Sequence, residues 1–190
     1  MTYTVMLAKL RTLLNEASAS FWSDTELYAS LTDGQQEVAN YLVALWKSKG
    51  GDLPEALKKL FDTDTGTGTK TLETDFWIPL TVYTSTLPVL IREDGDEKST
   101  LKYNTYTSSS ATQPYCYINA TQIVLETSVT WTMEYLKAVT AIDGSTNPIL
   151  TADTHETVVQ FAFAEMLKKD NDPRAEAEFQ KYLTMVRGLL

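Results

Sequence analysis

The chain's one histidine, His155, stands beside Glu156, with Glu165 nine residues further on. That grouping invites two kinds of chemistry. A zinc site of the HExxH kind holds the metal between two imidazoles one helical turn apart, with the intervening glutamate as base. Here the fourth position after His155 is Val159, and the chain has no second imidazole. Glu165 is on a poor register to replace it. A serine triad would need His155 as base and a G-x-S-x-G elbow to present the nucleophile, and that elbow is absent. His155 therefore reads as a solvated histidine in a first helical turn, where the positive helix end disfavours the imidazolium.

Carboxylates are plentiful, and 25 Asp and Glu leave glycosidase-type pairs open on number alone. The two clusters, "REDGDE" (Arg92 to Glu97) and "DTD" (Asp62 to Asp64), fall in turn-prone sequence and read as solvated loop charge. The twelve-residue calcium-loop spacing is missing from both. Cys116, with no second cysteine to pair with, reads as a small buried hydrophobe rather than a reactive thiol. The residues thus point away from an enzyme, a metal and a cofactor. The aromatics Trp77, Tyr83, Tyr103, Tyr106, Tyr115, Tyr117, Trp131 and Tyr135 fit either a β-sheet core or a binding face, and Trp77, Tyr103 and Tyr106 are candidate interface residues.

The elements that must position these residues follow from patterning. Met6, Leu10, Leu13, Leu14 and Ala17 make one face of a first helix. In "FWSDTEL" Ser23 is an N-cap with Glu26 as its capping-box partner, and Trp22 and Leu27 are placed to staple the helix start. Leu31, Val38, Leu42 and Leu45 continue that helix. Gly34 lies inside it and marks a close helix approach, a break, or a hinge. Gly50 and Gly51 end it, and "DLPEALKKLF" restarts a short helix. "DTDTGTGTKT" reads as an exposed loop and lacks the phosphate-loop spacing. From Phe76 to about Ile142, β-branched and aromatic runs between turn signals predict five to seven short strands. Asp153 is expected to cap a helix bearing Val158, Val159, Ala162, Phe163 and Met166. In "NDP" Asp172 caps a last helix with Pro173 at N1, which buries Phe179, Tyr182, Leu183 and Val186.

The expectation is an α+β chain: N-terminal helices in 1–61, a loop in 62–75, a small antiparallel β domain in 76–142, and C-terminal helices in 143–190 that complete an antiparallel helical bundle. The formal charge of −9 runs against a surface built to grip duplex phosphates. No secretory leader pattern opens the chain, and no run approaches the roughly 18 apolar residues of a membrane span. The protein is expected in the cytoplasm, or in something assembled there.

Three patches in this order resemble the head-to-tail adaptor, or connector, proteins of tailed bacteriophages. They are "KLRTLLNEASASFWSDTELYASLTDGQQEVANYL", then "ETDFWIPLTVY" with "QPYCYINATQIVLE", then "LTADTHETVVQFAFAEMLKKDNDPRAEAEFQKYL". The chain departs from the family at Gly34, where alanine is commoner, and ends at "MVRGLL" without the long tail of some adaptors. What the resemblance implies is a structural virion protein of the neck or tail. Such a protein forms a dodecameric ring with its own copies under the portal, passes DNA without specific binding, and docks the next tail or nozzle protein. Contact with the portal would fall to a short hydrophobic run holding Val186, Leu189 and Leu190, or to another segment. The alternative function is a carbohydrate- or peptide-binding module that uses the aromatic β insertion.

Overall fold

A computed structural model describes residues 1–16, 21–92, 114–119, 121–125 and 127–189. The fold is α+β, with helices at both ends and a central sheet. It divides into two compact units, residues 1–60 with 139–190 and residues 61–138.

The helical unit holds α1 (Tyr3–Leu13), α2 (Asp24–Lys49), α3 (His155–Lys169) and α4 (Ala175–Arg187). α2 packs on α3, α3 on α4, and α1 lies against both α2 and α3. The capping box at Ser23 forms as the sequence requires: Glu26 N–H donates to the Ser23 hydroxyl and Ser23 N–H donates to the Glu26 carboxylate. Leu27, Leu31, Val38 and Leu42 of α2 are buried, as are Val158, Val159, Ala162, Phe163 and Met166 of α3. Gly34 lies within one unbroken helix, and a Cβ there would stand 2.8 Å from the Val158 carbonyl oxygen. The glycine is a close-approach residue, not a hinge.

Gln35 is fully buried, an arrangement no periodicity announces. Its amide donates to Thr140 O at 2.9 Å and accepts from Ile149 N–H at 2.7 Å, so one side chain fixes the segment that returns into the helices. The short helix expected after Gly50 and Gly51 forms as a 3-10 helix, Glu55–Leu60. Asp153 lies in a second 3-10 turn (Ala152–Thr154), and α3 begins without a side-chain cap. Asp172 does accept from Arg174 N–H at 2.8 Å, the bond an N-cap makes with N2, although regular helix starts at Ala175. Among the described residues no helix is long and apolar enough to cross a membrane.

The β unit holds β1 (Phe61–Thr67), β2 (Lys70–Thr71), β3 (Phe76–Tyr83), β4 (Pro88–Arg92), β5 (Tyr115–Ile118), β6 (Gln122–Leu125) and β7 (Thr130–Lys137), in sheet order β1-β7-β3-β4-β5-β6-β2. Its two outermost strands are joined by Gly68 and Thr69 alone, so the sheet curls into a nearly closed barrel in which β1 and β2 lie at a seam without pairing. Two expectations are overturned. "DTDTGTGTKT" is not a loop: all of β1 pairs with β7, from Phe61 opposite Leu136 to Thr67 opposite Thr130. Gly66 is there because a Cβ would come within 2.5 Å of the Trp131 ring. The sheet is also not wholly antiparallel, since β4 and β5 run parallel. A parallel pair needs a long crossover connection, and the interval 93–114 supplies the length. The expected strand "LKYNTYT" lies outside the described residues. Leu72, Val82, Val89, Cys116, Ile123, Leu125, Trp131, Met133 and Tyr135 make the core of this unit.

Candidate interaction surface

His155 is 5% exposed, against the expectation of a solvated residue. The 3-10 turn before it folds the chain back, so the imidazole lies under residues 150–154 and bonds the Leu150 carbonyl at 3.0 Å. That oxygen can only accept, so Nε2 carries the proton and Nδ1 receives the Met1 nitrogen. Burial holds the imidazole pKa below its ordinary 6.5, and the Met1 amino group and Lys59 act in the same direction. Glu156 pairs with Lys9 of α1, and Glu165 lies 3.5 Å from Lys168. The three candidate groups therefore face three different partners. Among the described residues no three His, Cys, Asp or Glu side chains are placed to share a metal ion. Burial pushes the Cys116 thiol up to about 12. Asp62 pairs with Lys137 at 3.2 Å and Asp64 with Lys70, so the "DTD" carboxylates are held by the sheet. Most of "REDGDE" lies outside the described residues.

Tyr115, Tyr117, Trp131 and Tyr135 are all buried, with Trp131 Nε1 donating to Gly68 O at 3.0 Å. Tyr83 is at the surface, and Trp77 is half-buried. Trp77 falls where β3 slips register against β7, between Phe76 opposite Lys137 and Ile78 opposite Leu136, a bulge of the kind that re-aims a side chain. Tyr103, Tyr106 and Leu190 lie outside the described residues. Val186 is 0% exposed, which corrects its assignment as a contact residue: it points into the helical core, one turn after Tyr182. Leu189 is half-buried.

The best-built surface feature is at the entry to α2. Arg11, which ends an otherwise apolar face of α1, is buried and bonds Glu16 at 3.2 Å, Trp22 O at 3.1 Å and Asp24 at 2.5 Å. Glu16 in turn accepts from Phe21 N–H and, at 2.9 Å, from Trp22 N–H. These charge-assisted bonds are among the stronger ones a fold can use. They hold the backbone at Phe21, a residue that is 69% exposed and whose ring meets that of Trp22 edge-on at 4.9 Å. Trp22 is only half-buried, short of the core position its stapling role implied. Beside this pair is a cleft of about 260 Å³ whose lining includes Met166, Leu167 and Asp170. An exposed aromatic on a hydrogen-bonded backbone beside a cleft suits binding to a macromolecule. The capping pattern of α2 marks Trp22 and not Phe21. The usable signal was two adjacent aromatics before an N-cap that needs only one staple residue.

No protein-family model matches the chain, and no curated protein matches it.

Proposed function

We propose that the protein is a structural virion component, a head-to-tail adaptor of a tailed bacteriophage. In this reading its helices form an antiparallel bundle that closes into a ring with further copies beneath the portal, and the ring extends the DNA channel and docks the next tail component. The observation that carries the reading is that both ends of the chain fold into one helical unit interrupted by an inserted β unit. The three resembling patches fall on the entry helices, the insertion and the closing helices in that order. The acidic balance supports it, because a wall that DNA slides past is helped by like charge. Burial of Tyr115, Tyr117, Trp131 and Tyr135 removes much of the aromatic face that a carbohydrate- or peptide-binding module would need.

Phe21, with Trp77 and Leu189, is the contact set this reading offers to neighbouring components. Electron microscopy of the chain mixed with the portal of its own phage is the test. A ring of added density at the portal's outer end is expected, and portal particles without it would overturn the reading.

A further inference from the structure

The outer edge of β1 is unusual in how its backbone groups are satisfied. In an antiparallel pair, alternate residues turn their N–H and C=O toward the partner strand, and the residues between turn theirs away. Thr63 N–H donates to the Asp62 carboxylate at 2.8 Å, and Thr65 N–H donates to the Asp64 carboxylate at 2.8 Å. The Thr65 carbonyl accepts from Lys70 Nζ at 3.2 Å, and the same ammonium pairs with Asp64. Thr63 and Thr65 share one parity, so these are the groups that face away from β7. Among the described residues no strand pairs with that edge. Three of the groups a neighbouring strand would need are thus already occupied by side chains of "DTDTGTGTK". Asp64 is 8% exposed, a costly place for a carboxylate unless it has something to hold.

We infer that Asp62, Asp64 and Lys70 are blocks that keep the β1 edge from pairing with a second copy of this chain. A seven-residue strand whose outer edge pairs with no strand among the described residues is a template for strand addition, and inward charge is a means by which proteins suppress it. The Asp-Thr alternation supplies the blocks locally, since each aspartate reaches the amide immediately after it. β2, itself only two residues long, adds Lys70 across the seam where the barrel does not close. An adaptor that must meet its neighbours through one surface has reason to silence another, but the inference rests on the β1 geometry alone and stands without that role.

The first measurement is amide exchange in the wild-type chain. Thr63 and Thr65 N–H should be protected relative to an unfolded peptide, and exchange at unfolded rates would overturn the inference. The second is association of the Asp62→Thr, Asp64→Thr double variant, followed by sedimentation against wild type with near-ultraviolet circular dichroism as the fold check. Concentration-dependent association is expected, and adding Thr65→Lys, an exposed charge on the same edge, should abolish it. A folded double variant that sediments as wild type overturns the proposal. So does association that Thr65→Lys fails to reverse. Should the double variant not fold, Asp62→Thr with Asp64→Val, which fills the buried position with an apolar strand former, is judged by the same two outcomes.

Discussion

Protonating His155 would place a charge in a buried site that already faces the Met1 amino group and Lys59, with Asp153 as the one acid acting the other way. Its folded pKa therefore lies below the 6.5 of an unfolded chain. Above 6.5 both states carry a neutral ring and stability does not respond. As pH falls below 6.5 the unfolded chain takes the proton first, so stability drops until the folded pKa is reached. The slope in that window is at most about 1.4 kcal/mol per pH unit. Urea unfolding between about pH 7.5 and 5 checks it. The His155→Gln chain should lose that part of the slope, and an unchanged slope would assign the effect to other groups. His155→Ala should cost on the order of 1–3 kcal/mol by leaving the Leu150 carbonyl unpaired. Phe21 gives the opposite kind of residue. Phe21→Ala should leave stability within about 0.5 kcal/mol, because the residue is exposed, and under the proposed adaptor role should weaken portal binding at least tenfold. Equal binding by the variant would take Phe21 out of the contact set.

At the scale of elements, α2 carries two testable features with different origins. Its capping box is local, and Ser23→Ala should cost about 1 kcal/mol in chemical unfolding, from the amide it leaves unpaired. Gly34 is a long-range constraint. Alanine there gains about 1 kcal/mol in helix propensity, but its Cβ would meet the Val158 backbone oxygen at 2.8 Å, which a side-chain movement cannot relieve. Separating α2 from α3 should cost about 1–3 kcal/mol, so Gly34→Ala is expected to destabilise and Gly34→Val to do so further. A stabilised alanine variant would show that the two helices can move apart freely. The two features were not equally legible. Ser23 and Glu26 meet within one turn and announce themselves by spacing, whereas Gly34 takes its meaning from Val158, a residue on another helix.

For the whole molecule, the formal charge of −9 predicts no measurable binding to duplex DNA at about 0.15 M salt. Fluorescence anisotropy with a labelled duplex checks this, and tight binding would require a basic face that the overall charge conceals. The sequence by itself determined what is settled over a few residues: the capping box of α2, the Asp172 turn into α4, the apolar stripe of α3 and the helix–sheet–helix order. These depend on neighbours within a turn or two, so spacing alone carries them. Only the tertiary structure decided that "DTDTGTGTKT" is a strand, because β1 owes its extended form to β7, far along the chain. It alone placed His155 under the Leu150 turn, Gln35 in the core and Val186 out of reach of a partner. Each of these outcomes was set by which distant segment closes over the residue, and burial by a distant segment leaves no periodic trace in the sequence.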